Sequence, residues 1–263
     1  MICFKAERVG SKMWGLTMGD NDLRAADQQH GSAETAPYAM LEWYTFSTVM
    51  GPVDGLHVLD AACGDGHLSR RLMALGAGSV VGVDLCELKI ARARQQNRPR
   101  RAGFHKALQF ETVDVRDGGY RLEAPADLVT GMYLFQYAGH REELFRMCRF
   151  LGRNLRTGGR FIGYSINPDY DFTHQYPFME DVFGFRYRIV EPPEYRFVSG
   201  DVEVPVWQWS RADHETGLRD AGFANVQWHP LRLPDEHRDL SASVNWYLEN
   251  PSYIVVSAEK TVD

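Results

Sequence analysis

Along residues 34–165, short apolar runs alternate with stretches whose apolar positions recur at helical spacing. Residues 34–50 carry apolar and aromatic residues throughout their length and stop at Gly51-Pro52, which predicts a helix. A strand is predicted over 56–61, a helix over 67–75 with Leu68, Leu72 and Leu75 on one face, a β-branched strand over 79–84 and a helix over 87–96. Strands are predicted again over 108–113 and 126–132. Over 141–155 the stripe Leu144, Met147, Leu151, Leu155 has helical spacing, Gly158-Gly159 closes that helix, and 160–165 predicts another strand. Alternation of this kind implies a parallel sheet with helices on both faces and right-handed crossovers.

After residue 165 the pattern changes. Residues 166–209 show no helical periodicity and are crowded with aromatics, among them Tyr170, Phe172, Tyr176, Phe178, Phe183, Phe185 and Tyr187. Residues 183–190 and 194–209 predict strands of an antiparallel cap, with Phe183, Phe185 and Tyr187 on one face and Gly184, Arg186 and Arg188 on the other. A helix is predicted over 211–221, closed by Gly222, and two final strands over 223–228 and 252–260, as an antiparallel pair. The expected fold is therefore α/β, a Rossmann-like, seven-stranded, mostly parallel sheet with a β-rich aromatic lid inserted after strand five. A polar N-terminal extension over 1–33 precedes one domain over 34–263, with the lid at about 166–209.

Composition narrows the function classes. Hydrophobic residues at 44% and charged residues at 24% are ordinary for a folded domain and argue against wholesale disorder. The 29 Lys+Arg against 35 Asp+Glu leave a net charge of -6, which repels a phosphate backbone and argues against a nucleic-acid partner. The basic cluster Arg98, Arg100, Arg101, His105, Lys106 follows a helix and is expected to be a solvated loop. Four cysteines without C-x-x-C spacing suggest neither zinc nor disulfides, so no metal is expected and a reducing, cytoplasmic setting is. No apolar run reaches membrane-spanning length, and 1–14 lacks the apolar stretch of a signal peptide.

The local chemistry is concentrated at Asp60-Ala61-Ala62-Cys63-Gly64-Asp65-Gly66, where a strand ends in an acid, G-x-G follows and a helix begins. Asp84 ends the next strand, the usual place for a carboxylate that accepts two ribose hydroxyls, and Asp114 follows the third. A dinucleotide wants a third glycine where this chain has Ser69, and it wants no acid opening the loop, because pyrophosphate would be repelled. The D-x-x-x-G-x-G segment at 60–66 with Asp84 resembles the class I S-adenosylmethionine-dependent methyltransferase family. Val113-Asp114, Asp127-Leu128-Val129 and the 155–161 stretch LRTGGRF extend the likeness over about 35–165. That resemblance implies S-adenosylmethionine as cofactor: Asp60 at its amino group, Gly64 and Gly66 along the methionine moiety, Asp84 on the ribose, and Leu85 packed on adenine. It also implies Asp114 and Val115 at the adenine edge and Gly131 near the sulfonium end, with Ala61, Cys63 and Met132 completing the cofactor set. The segments 38–55, 131–137 and 159–168 further resemble small-molecule N-methyltransferases of the toxoflavin (azapteridine) type from bacterial secondary metabolism.

Methyl transfer from a sulfonium is an in-line displacement that asks mainly for alignment and dryness, so no catalytic triad is expected. Gln136, His174 and Tyr176 are the candidate catalytic groups, and Tyr38, Trp43, Tyr133, Phe172 and Trp207 the candidate substrate contacts, stacking a planar acceptor. His140 is expected to cap the following helix, and His229 and His237 to lie away from the site. Asn167-Pro168-Asp169-Tyr170 follows strand five rather than strand four and is expected to be a turn. The expected reaction is methylation of a nitrogen, and after it an oxygen, of a small planar metabolite by a monomer or homodimer without nucleic-acid or membrane partners. Its rivals are a peptide or protein methyltransferase, an NAD-dependent oxidoreductase on the same fold, and a non-catalytic S-adenosylmethionine-binding protein.

Overall fold

A computed structural model describes residues 35–97, 107–177, 179–234 and 241–261. The expected extension over 1–33, the basic cluster from Arg98 to Lys106, Phe178 and His237 lie outside the described residues, as does the side chain of Tyr38. The chain opens with helix α1 (Thr35–Met50), then β1 (His57–Ala61), α2 (His67–Ala74), β2 (Ser79–Asp84), α3 (Glu87–Gln96), β3 (Leu108–Thr112) and β4 (Ala126–Met132). A 3-10 turn (Phe135–Tyr137), α4 (Arg141–Asn154) and β5 (Leu155–Ile166) follow. The sheet order is β3-β2-β1-β4-β5, continued by two late strands, β10 (Tyr253–Lys260) and β9 (Phe223–His229). Strands β1 to β5 pair in parallel, and β10 runs antiparallel to both β5 and β9.

Each helix forms because its apolar stripe has a sheet face to cover. On α4, Leu144, Met147 and Leu151 are at most 1% exposed and pack with Leu218 of α6 (Arg211–Asp220) against one face of the sheet. Burial of each such side chain contributes about 1.5–3 kcal/mol. The other face carries Leu41 and Phe46 of α1, Leu68 and Leu72 of α2, Ile90 of α3, and Val244 and Tyr247 of α7 (Ala242–Glu249). The end of α4 differs from the sequence reading: the helix stops at Asn154, and Gly158-Gly159, expected to close it, lie inside β5. Leu155, the last residue of the apolar stripe, leaves the helix with extended backbone (φ -109, ψ 134) and begins β5. Its burial is satisfied from the strand as well as from a helix, so periodicity alone could not separate the two.

Between β5 and α6 lies the lid. It contains the short helix α5 (Met179–Phe183), which the sequence did not predict, and a separate three-stranded antiparallel sheet of β6 (Arg186–Glu191), β7 (Glu194–Ser199) and β8 (Val202–Trp207). The single strand expected over 194–209 is two strands, because Ser199-Gly200-Asp201 turns with Gly200 at φ +54. The alternation was legible: Phe185 and Tyr187 are buried, and Arg186 and Arg188 are exposed. Asn167-Pro168 is a turn, as expected, with the Asp169 N–H donating to Asn167 Oδ1 and the Asn167 amide donating to the Pro251 carbonyl. His140 is the N-cap residue of α4, but its side chain makes no capping bond. Among the described residues no helix is long and apolar enough to cross a membrane.

Candidate active site

The β1–α2 loop is shaped by its backbone. Ala62, Gly64 and Gly66 all have positive φ (63, 58 and 83), and a Cβ on Gly66 would collide with the Phe110 ring. Glycine is therefore required where the chain turns into α2. β1 delivers Asp60 and β2 delivers Asp84 to this loop, each 1% exposed. The Gly64 N–H donates to Asp84 Oδ2 at 3.0 Å and the Cys86 N–H to Oδ1 at 2.8 Å. One lone pair on each oxygen is left for a further donor, the arrangement two neighbouring hydroxyls need.

Asp60 is held differently. The Ser69 hydroxyl donates to Oδ2 at 2.6 Å and the Thr130 hydroxyl to Oδ1 at 3.0 Å. Burial pushes its acid up to about 6 despite both hydroxyls, and the charge of Asp84 adds to the rise; burial raises Asp84 as well. Burial and the same two acids push the Cys63 thiol up, which keeps it from being a nucleophile at neutral pH. Two buried carboxylates flanking a glycine loop would repel a pyrophosphate and attract an ammonium group. This donor set fits S-adenosylmethionine, with its amino group and ribose diol, and does not fit a dinucleotide.

Beside the loop, Ala62, Leu85, Val115, Leu134, Tyr137 and Met147, together with Asp114 and Arg116, line a small cleft. Asp114 is less free than its sequence position implied. Arg116 grips both of its oxygens (Nε to Oδ1 2.9 Å, Nη2 to Oδ2 2.8 Å) and reaches on to Glu143 at 3.0 Å. Burial works to raise Asp114, but the hydrogen bonds and charge of Arg116 outweigh it and hold the carboxyl below its ordinary value. Gly131 and Met132 end β4 on the same rim.

The candidates for chemistry scatter. Gln136 is 2% exposed in the 3-10 turn after β4, and its Oε1 is buried with no hydrogen-bond partner. His174 is exposed on the lid, and Tyr176 belongs to the aromatic packing between lid and α7, with Trp246 at 5.3 Å and Phe183 edge-on at 6.0 Å. Among the substrate candidates, Phe172 is corrected by the structure. It is 3% exposed, stacks on Tyr195 at 3.8 Å and meets Tyr170 and Tyr187 edge-on, so its faces serve the lid's own core. Trp43 has the Arg71 guanidinium 3.3 Å above its ring, which occupies one face. Tyr133 and Trp207 are half-buried, Tyr133 at the end of β4 and Trp207 beside Gly139.

Sequence reasoning missed Ser69, Thr130, Arg116 and Glu42. Ser69 had been noticed only as a missing glycine, yet its place in the first turn of α2 is what brings a hydroxyl onto Asp60. Glu42 lies inside an apolar helix, 7% exposed, and accepts a hydrogen bond from the Tyr133 hydroxyl. A lone acid amid aromatics at 38–46 was the available signal.

Comparison with known proteins agrees with this geometry. Residues 58–159 match the methyltransferase domain family. A ubiquinone biosynthesis O-methyltransferase of Coxiella burnetii is 24% identical over 72% of this chain and 75% of its own length. One from Bordetella avium is 24% identical over 73% of each chain. The crystal structure of an S-adenosylmethionine-dependent methyltransferase from Mesorhizobium loti shares the fold, with a TM-score of 0.61 at 20% identity over 85% of this chain and 99% of that one. With a methyltransferase domain matched over residues 58–159, a matching sheet and a loop that fits the cofactor, this chain is an S-adenosylmethionine-dependent methyltransferase.

Proposed function

We propose that this methyltransferase acts on a small, planar, aromatic metabolite held between α1 and the lid, at the C-terminal rim of β4. The observation that carries the reading is the half-buried aromatic surface around that rim, formed by Tyr133, Tyr137 and Trp207. Flat rings with part of their surface open suit a flat ligand, and a cationic methyl donor is favoured beside aromatic faces. The relatives named for ubiquinone biosynthesis are O-methyltransferases, which supports a phenolic oxygen as acceptor. The likeness to toxoflavin-type enzymes supports a ring nitrogen as the second choice.

When bound, S-adenosylmethionine supplies an activated methyl group. The chain's part is to hold and align. Asp84 accepts the ribose hydroxyls through the lone pairs its backbone donors leave open. Asp60 pairs with the amino group, and Leu85, Asp114 and Val115 bound the adenine cleft. The lid excludes water through a core of its own, in which Phe172, Tyr187 and Tyr195 are buried.

S-adenosylhomocysteine titrated by calorimetry should bind with a Kd of about micromolar order, and Asp84→Ala should weaken it at least about tenfold, the loss of a charge-assisted pair of bonds. Incubation with labelled S-adenosylmethionine and fractions of small phenols, amines and peptides should place label only on small aromatic products, each heavier by one CH₂ unit. Label on peptides alone would sink the substrate class while leaving the cofactor reading intact.

A further inference from the structure

Glu42 has no task in the cofactor site, and its surroundings are unusual for a carboxylic acid. It projects from α1, which packs over β5 and β10 and against α5. The Tyr133 hydroxyl donates to one oxygen of its carboxyl, and Tyr164 of β5 lies against the same group. The Tyr133 ring stands edge-on to Tyr164 (5.3 Å) and to Tyr253 of β10 (5.1 Å), which stack on each other. The remaining charged groups on the elements around α1 are committed or turned to solvent. Arg71 of α2 lies over the Trp43 ring, Glu180 and Asp181 of α5 are exposed, and so is Arg232, whose backbone bonds Thr45. No ion pair to Glu42 is found among the described residues, so packing alone would be served better by an apolar side chain.

Tyr133 is also held under strain. It has φ +56, a left-handed conformation that a bulky residue adopts only when its surroundings enforce it, and its N–H donates to the Tyr164 carbonyl at 2.7 Å. This strained residue is the first after β4, directly past Gly131 and Met132. Tyr137 ties the region to the cofactor cleft: it lines that cleft, its hydroxyl feels the charge of Asp84, and Tyr253 feels both Tyr137 and Glu42. Backbone strain and an uncompensated buried acid meet at one hydrogen bond on the rim where the methyl group moves.

We infer that Tyr133 and Glu42 form the proton-accepting pair of the reaction, and that the acceptor is therefore a hydroxyl rather than an amine. An amine can attack without losing its proton first, whereas a phenol gains from a base. The step balances. The acceptor O–H bond breaks and its proton goes to the Tyr133 oxygen, while the Tyr133 proton passes to the Glu42 carboxylate. The new O–CH₃ bond takes its carbon from the cofactor's S–CH₃ bond, whose electron pair stays on sulfur. One positive and one negative charge are lost together. Tyr133 is the catalytic residue, and Glu42 acts through it. Burial pushes the Glu42 acid up to about 8, close to the range of activated phenols, which suits a base working near neutrality.

The inference rests on the proposed function, and two readouts separate their failures. The first needs no acceptor. Affinities for S-adenosylmethionine and S-adenosylhomocysteine are measured between about pH 6 and pH 9 for the wild type, Glu42→Gln, Glu42→Asp and Tyr133→Phe. As Glu42 ionises, preference for the cationic donor over its neutral product should grow about fivefold in the wild type. It should stay flat in Glu42→Gln and persist in Glu42→Asp. The second readout is turnover of a panel of simple phenols and catechols. Tyr133→Phe should lower kcat by about a hundredfold with little change in KM, and Glu42→Gln should remove the rise of kcat with pH. A preference that does not change with pH in the wild type overturns the inference whether or not any probe is methylated, as does a wild-type kcat in Tyr133→Phe. Loss of all S-adenosylhomocysteine binding by the wild type would instead overturn the cofactor assignment. If Glu42→Gln fails to fold, the Tyr133→Phe arm, which keeps the ring packing, decides.

Discussion

Asp60 shows how one residue can be legible in type and hidden in behaviour. Its place at the end of β1 is fixed by the strand pattern, but its proton affinity is set by burial, by Ser69 and Thr130, and by Asp84 across the loop. Because its acid sits near 6 in the unliganded fold, an arriving ammonium group must find it ionised or force its proton off. Cofactor affinity should therefore fall as the pH drops from about 7.5 to about 5, approaching a tenfold loss per pH unit below the folded pKa. Calorimetry across that range checks this, and proton release on binding near pH 6 should accompany it. Asp60→Asn should flatten the profile at the weak end. An affinity that holds steady to pH 5 would assign the amino group to another partner. Asp60, Asp84 and the glycines were readable because strand ends and tight turns leave a trace in spacing. The reach of Arg116 to Glu143 and the pairing of Glu42 with Tyr133 were not, since these partners meet only when segments distant in sequence are packed together.

At the scale of elements, the parallel half was legible because each strand or helix carries its own period, and crossover handedness leaves few ways to assemble them. The lid was legible in composition and face but not in count, because a turn centred on one glycine splits an apolar run without breaking its alternation. Helix α4 illustrates what a pattern cannot register: the closeness of a neighbour. Gly152 lies on its buried side where α6 ends, and a Cβ there would press into the Ala221 backbone carbonyl. Backbone cannot swing aside as a flexible side chain can, so the two helices would have to separate. In an exposed helix Gly→Ala is stabilising by up to about 1 kcal/mol. Here Gly152→Ala should instead destabilise the fold, by about 1–3 kcal/mol for overpacking, with cofactor affinity nearly unchanged. Urea denaturation of the variant, with S-adenosylhomocysteine titration as the companion measurement, checks the sign. A stabilised variant would mean that α4 and α6 are further apart than the contact requires.

For the whole molecule, the site's buried acids set the stability profile. Glu42 and Asp60 have folded acids near 8 and 6 against ordinary values of 4.5 and 3.8, so between those limits the folded state holds protons that the unfolded chain has released. Stability then falls as pH rises, by about 1.4 kcal/mol per pH unit for each group still inside its window. The ion-paired carboxyls behave in the opposite sense. Asp114, Asp127 and Asp213 are held below their ordinary values by Arg116, Arg156 and Arg141, so their contribution is present above about pH 4 and is lost as pH falls further. Buried His214, lowered by burial to about 4 from 6.5, works against the two raised acids between those values, because there the unfolded chain binds a proton that the folded one does not. The cofactor-free protein should therefore decline gently from about pH 4.5 to about pH 6.5 and more plainly from there to about pH 8. Between about pH 6.5 and pH 8 Glu42, with its acid near 8, carries the decline. Glu42→Gln keeps an acceptor for the Tyr133 hydroxyl without the ionisation cost, so it should leave Tm little changed near pH 4.5 and raise it progressively above pH 6. Thermal melts of the two proteins across that range supply the measurement. If the curves stay parallel, Glu42 is ionised in the folded protein at neutral pH, and the low-polarity box around it is wetter than its 7% exposure implies.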